Sequence, residues 1–186
     1  KSNVKSLVIE NKLDHNPDNK NLHKNIDKKI TIGYFGFLRC KWSIDVLKSL
    51  AVSYPDKFNI VFAGYSGKPL DLDDEIKNIK FLGEYRSPTD LPHLYGSVDI
   101  VWACYPFPDK DDWNWKWART NRYYESLFYK KPMFVLEGSG NSFSVLDRKI
   151  GIIVNRESIN ETVNKVAHIG KDEIEDITIN VQKLPD

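Results

Sequence analysis

The chain has 186 residues, 41% of them apolar and 28% charged, which is the balance of a folded domain and excludes a disordered chain. Lys and Arg number 27 against 26 Asp and Glu, a formal net charge of +1, so a sequence-blind nucleic-acid binder is excluded for want of cations. No apolar run approaches the roughly 20 residues of a membrane span, no secretory signal opens the chain, and Cys40 and Cys104 are too few for a disulfide framework. A reducing cytoplasm is therefore the expected compartment. Lys1 stands where an initiator Met would be, which points to a fragment of something longer.

Taken in chain order, residues 6–10 form a short β-rich run, and residues 11–29 break the pattern. They are rich in Asn, Asp, Lys and His, with Asn16-Pro17-Asp18 as a turn signal, so residues 1–29 read as an interdomain segment and linker. From there strand-like runs at 30–35, 58–63, 79–82, 99–103, 132–136 and 151–154 alternate with helical patterns. Ile44, Leu47, Leu50, Ala51 and Tyr54 recur at helical spacing, with Ser43 as the expected N-cap and Pro55 as a stop. Asp90 is placed to cap a short helix carrying Leu91, Leu94, Tyr95 and Val98. Residues 119–129 predict a helix with Tyr124, Leu127 and Phe128 turned inward. Ser158 and Glu161 have capping-box spacing ahead of Val163, Val166 and Ala167, and Gly170 is the expected end of that helix. A last helix carries Ile174, Ile177, Val181 and Leu184.

Strand-helix alternation with short connections predicts an α/β fold, a Rossmann-like doubly wound parallel sheet flanked by helices. The expected division is residues 1–29 as interdomain segment and linker, 30–170 as the Rossmann-like domain and 171–186 as a C-terminal helix. Right-handed crossovers put ligands at the carboxyl ends of the strands. After the run at 30–35 come Gly36, Arg39 and Lys41 ahead of a helix start, an arrangement suited to a diphosphate. The plainer reading is a tight turn with two solvated cations, because neither a dinucleotide fingerprint nor a Walker loop is present. In the helix at 119–129, Arg119, Arg122 and Glu125 share a face. A carboxylate beside cations suits ribose hydroxyls, whereas an Arg122–Glu125 ion pair would be worth only a few tenths of a kcal/mol.

Several of these pieces, in order, resemble the C-terminal domain of GT-B glycosyltransferases of the family 4 type. Ile32-Gly33-Tyr34-Phe35-Gly36 and Trp42-Ser43-Ile44-Asp45-Val46-Leu47 resemble its opening. Phe62-Ala63-Gly64, Ile79-Lys80-Phe81-Leu82-Gly83 and Leu94-Tyr95 with Val98-Asp99-Ile100 are similar to its following strands and helix. Asn121-Arg122-Tyr123-Tyr124-Glu125 through Lys131-Pro132 is similar to its "N-K-x-x-E-x-L-A-x-G-K-P" element. The resemblance implies a half-enzyme that holds a nucleoside diphosphate sugar, transfers a hexose to a polysaccharide or glycolipid acceptor, and meets the acceptor through an N-terminal half.

By position, the resemblance puts Glu125 on the ribose and Gly36, Arg39, Lys41, Arg119, Asn121 and Arg122 on the diphosphate. Gly83, Glu84 and Tyr85 fall beside the base. It implies no cofactor and no metal, with the donor sugar as substrate, and for the whole enzyme a peripheral place at the cytoplasmic face of a membrane. Three departures mark a divergent member. Trp117 occupies the position eight before Glu125 where many relatives carry a second glutamate. Phe37-Leu38 follow the loop glycine where a basic residue is usual, and Phe128-Tyr129-Lys130 are bulkier than the usual small residues.

Residues 105–117 follow a strand at the expected ligand end, and Tyr105, Trp113, Trp115 and Trp117 offer aromatic faces to a sugar or a cleft. Individually each Trp reads more simply as core or interdomain packing. The four histidines have no metal-ligand spacing, and Cys40 reads as a buried structural thiol. Two rivals remain at this level: a nucleotide-sugar epimerase on the same architecture, and a non-catalytic Rossmann-like module binding protein or glycan through the tryptophan-rich loop.

Overall fold

The computed structural model describes residues 28–67, 69–70, 72, 75–105, 116–156 and 158–185. The run at 6–10, the linker reading and the pair Trp113 and Trp115 lie outside the described residues.

Six strands form one sheet: β1 (Ile30–Phe35), β2 (Phe58–Ala63), β3 (Ile79–Phe81), β4 (Ile100–Trp102), β5 (Met133–Leu136) and β6 (Gly151–Val154). The order is β3-β2-β1-β4-β5-β6, and every pairing is parallel. The strands are mostly apolar because both faces of the central ones are covered, whereas the edge strand β3 carries Lys80 and is partly exposed. On one face Ile32, Tyr34, Ile60, Phe62, Trp102 and Phe134 pack under α1 (Lys41–Ser53) and α5 (Ile159–Ala167). On the other, Phe35, Val61, Val101, Met133 and Val135 meet α2 (Leu91–Gly96), Tyr123 of α3 (Asn121–Phe128) and Val145 of α4 (Gly140–Arg148). The last helix, α6 (Lys171–Gln182), places Ile174 in the first cluster and Val181 in the second.

The expected doubly wound sheet is therefore what forms. After β1 the chain lays down β2 and β3 on one side, then returns to place β4 on the other. Strand order reverses between β1 and β4, and the helices that follow those two strands diverge, leaving a crevice at their carboxyl ends.

Several local expectations are corrected. The N-cap of α1 is Cys40, whose Sγ accepts the Ser43 amide at 3.2 Å, while Ser43 is buried inside the helix. Cys40 is accordingly a half-exposed cap and not a buried thiol. Asp90 occupies the cap position of α2 without capping it, because its carboxylate takes the Arg86 amide at 2.8 Å and the Arg86 guanidinium. Gly170 opens α6, the preceding helix having ended at Ala167. The face that α3 buries is Arg122, Tyr123, Glu125 and Ser126, with Tyr124, Leu127 and Phe128 only half-buried. Those three, expected to face inward, do pack against the core on that side of the sheet, but less deeply than Arg122 and Glu125. Two charged side chains are thus turned inward, where each needs a polar partner.

Candidate functional site

The β1, β2 and β3 turns are locked together through backbone. The Gly36 amide donates to Ala63 O at 2.9 Å, Gly64 to Gly83 O at 2.7 Å, and Leu38 to Tyr65 O at 2.8 Å. Gly64 has φ +128°, and a Cβ there would lie 2.0 Å from Gly36 O, so only glycine permits this approach. Gly36 itself, at φ +98°, faces open space: a Cβ on it would meet nothing nearer than Arg122 Nε and Tyr85 Oη, both at 3.8 Å. A strand-end glycine, an arginine and a tyrosine from three separate segments thus converge at the β1 end of the crevice.

α3 supplies the charge. Arg122 and Glu125 are each only 7% exposed, and each takes its own partner instead of the other. Arg122 Nε donates to Phe35 O and Nη2 reaches Phe37 O at 3.5 Å, while the guanidinium lies 4.6 Å from the Tyr34 ring centroid. Its Nη1 is buried and has no partner among the described residues. A buried guanidinium whose hydrogen bonds go to carbonyls, with one nitrogen unpartnered, is left with a donor that an anionic ligand would satisfy.

Glu125 Oε2 accepts from Tyr95 Oη at 2.6 Å. Burial holds the Glu125 carboxyl above its ordinary value, against the Tyr95 hydrogen bond and the Arg122 charge, which pull it down. The converse is visible in the surrounding phenols. Tyr85 is pushed up to about 12, first by burial and then by the Glu125 charge, and Tyr95 and Tyr129 are raised by the same causes in the same order.

The remaining expected residues divide. Arg39 lies between two aromatic faces, 5.1 Å from the centroids of both Phe37 and Tyr105. Lys41 extends into solvent and bonds Asp45 one turn along at 2.6 Å. Arg119 lies over the Tyr123 ring at 5.2 Å, and Asn121 is the exposed first residue of α3. Gly83 has φ +75°, and the following Glu84 is exposed while Tyr85 turns toward Gly36. Trp117 stacks on Phe143 of α4 at 6.0 Å, and its backbone rests against Gly140, where a Cβ would lie 2.7 Å from Trp117 O. Gly36, Tyr85, Arg122 and Glu125 are thus brought together.

Tyr95 was not singled out from the sequence, where it reads as a core residue of α2. The available signal was chemical: a fully buried tyrosine needs a partner for its hydroxyl. Among the described residues no three His, Cys, Asp or Glu side chains are grouped to hold a metal ion, and no helix is long and apolar enough to cross a membrane.

A parallel sheet of this order is the fold shared with the C-terminal domains of the glycosyltransferases to which the chain is similar in structure. In structure, the chain is similar to the C-terminal domain of a glycosyl transferase group 1 family protein, LpcC, from Francisella tularensis. The TM-score is 0.56 at 20% identity, covering 82% of each chain. It is likewise similar to WaaG, a glycosyltransferase involved in lipopolysaccharide biosynthesis, with TM-score 0.58 and 16% identity over 85% of this chain and 43% of that one. HepE of Anabaena, in complex with UDP-glucose, matches with TM-score 0.58 and 18% identity over 83% of this chain and 43% of its own. In sequence, the chain is related to the succinoglycan biosynthesis protein ExoL of Rhizobium meliloti (strain 1021), 32% identical over 129 residues. That match takes in 66% of this chain and 31% of the relative, so the chain corresponds to about a third of ExoL's length. No family model matches.

Proposed function

We propose that the chain is the donor-binding half of a glycosyltransferase that moves a hexose from a nucleoside diphosphate sugar to a glycan or lipid-linked acceptor in polysaccharide or glycolipid synthesis. The observation that carries this reading is the buried pair on α3 at the strand-order reversal: a carboxylate with one oxygen held by Tyr95, and one turn away a guanidinium with an unpartnered Nη1. The relation to ExoL and the UDP-glucose complex of the structurally similar HepE favour it over an epimerase or a non-catalytic module.

In this reading Glu125 accepts from the ribose hydroxyls, and Arg122 with Arg39 faces the diphosphate across the Gly36 turn. Arg119, Asn121 and Lys41 stand around that group at the rim. Gly83, Glu84 and Tyr85 flank the base, while Tyr105 and Trp117 border the sugar. Catalysis by this half is electrostatic: cations fixed before the reaction take up charge as the diphosphate departs. That role needs no cofactor. The acceptor is met through an N-terminal half, with the whole enzyme in the cytoplasm at the inner face of the membrane.

The test is a calorimetric titration of the full chain with UDP, GDP, ADP and their common sugar conjugates, repeated on Glu125→Ala. One nucleotide is expected to bind selectively and to lose about tenfold or more in the variant, the equivalent of about 1.4 kcal/mol. Silence across the whole panel overturns the reading.

A further inference from the structure

Resting on that reading, we infer that Tyr95 is a positioning residue for Glu125 and sets the preference of the site for ribose over deoxyribose. The Tyr95 hydroxyl, on a ring buried to 0% exposure, donates to Glu125 Oε2 at 2.6 Å and has no other described partner. Its ring is fixed from two sides, stacked on Tyr129 at 5.0 Å and edge-on to Phe35 at 5.2 Å. The phenol is therefore a rigid donor, and it pins one carboxylate oxygen. Oε1 takes no protein donor among the described residues, which leaves that oxygen for a hydroxyl of the ligand.

A glutamate held this way has little rotamer freedom left to lose on binding, so each hydrogen bond it makes to ribose counts nearly in full. A sugar lacking that hydroxyl leaves this carboxylate oxygen unmet within the complex, and such a loss discriminates more strongly than an apolar contact. The groups that face Glu125 are Tyr95 from α2, Tyr85 from the connection after β3, Tyr129 just beyond α3, and Arg122 on its own helix. Of these, Tyr95 is the one that hydrogen-bonds the carboxylate.

The experiment measures the affinity of whichever diphosphate the wild type selects from UDP, GDP and ADP, alongside its 2′-deoxy and 3′-deoxy forms. It covers pH 5 to about 9 on the wild type and on Tyr95→Phe. Taking the ratio of ribo to deoxy affinity cancels the ionisation of the diphosphate itself. The wild type is expected to prefer the ribo form by about tenfold or more, and Tyr95→Phe to reduce that preference about three- to tenfold while barely changing the deoxy affinity.

Losing a hydrogen bond that favours the carboxylate also makes Glu125 easier to protonate. The preference of the variant should thus fade at a higher pH than that of the wild type. In the Glu125→Gln background the Tyr95→Phe effect should vanish, as expected of a residue acting through another. If Tyr95→Phe does not fold, 3-fluorotyrosine at the same position keeps the hydroxyl and acidifies it, and should move the fading point to lower pH. An unchanged ratio and an unchanged pH midpoint in either variant overturn the inference alone. Failure of the wild type to bind any of the three diphosphates overturns the donor-site reading and the inference together.

Discussion

Glu125 is a residue whose own stability and whose service to a ligand pull in opposite directions. Its carboxyl is held above the unfolded value of about 4.5, chiefly by burial, so the folded chain binds that proton more tightly than the unfolded chain does. Below the unfolded value both states are protonated and the buried charge costs nothing. As pH rises through the folded value the charge appears in the interior, and stability falls. Glu125→Gln should therefore melt level with the wild type at acid pH and gain on it steadily toward neutrality, while losing nucleotide affinity. Melting temperatures of the two proteins from pH 4 to about 8 check this, and a variant that falls below the wild type at neutral pH would show that the carboxylate is net stabilising. Gly64 shows the other residue-scale constraint. Its place was legible as one member of the Phe62-Ala63-Gly64 run, but the reason for glycine, a 2.0 Å approach to Gly36 O, is a contact between turns 28 positions apart in the chain.

At the scale of elements, α1 and α3 illustrate how far local pattern carries. The body of α1 follows its apolar spacing, with Val46, Leu47, Leu50 and Ala51 buried as a helical stripe predicts. Its start does not follow the preference for Ser, because the chain leaves Gly36 in a turn that places Cys40 and not Ser43 at the first free amides. A thiol is a weak acceptor, so Cys40→Ala should cost about 0.5–1 kcal/mol, and Cys40→Ser should leave stability unchanged or raise it. Urea unfolding of the two variants distinguishes them, and equal loss in both would mean that the cap is not what Cys40 contributes. For α3 the spacing of Arg119, Arg122 and Glu125 was legible as one face, yet which way that face points was not. Hydrophobicity alone assigns charged residues outward. Here the neighbouring elements supply Phe35 O and Tyr95 Oη as partners, which allows Arg122 and Glu125 to turn in.

For the whole molecule, one terminal helix contributes to the cores on both faces of the sheet. α6 buries Ile174 in one cluster and Val181 in the other, and is tied down by Lys130 Nζ to Leu184 O at 2.9 Å and Asn180 Nδ2 to Lys149 O at 3.2 Å. Burying each such aliphatic side chain is worth about 1.5–3 kcal/mol. Losing two fully buried and two partly buried ones approaches the entire stability of a typical domain, about 5–15 kcal/mol. A chain ended after Gly170 is expected to lose its cooperative melt by calorimetry, and retention of a sharp transition would show residues 171–186 to be an appendage.

The division between what the chain announces and what the fold adds follows from the range of the interactions involved. Strand and helix alternation, the parallel sheet and the capping box at Ser158 are written in spacings of two to four residues, so the amino-acid sequence by itself determined them. It also determined the order of pieces shared with GT-B domains, because that order is a property of the chain. The Tyr95–Glu125 contact, the Arg122 bonds to the β1 turn and the interlocked glycine turns join residues 19 to 87 positions apart. Each depends on a buried polar group finding its partner, and only the packed sheet decides which groups are near enough to serve.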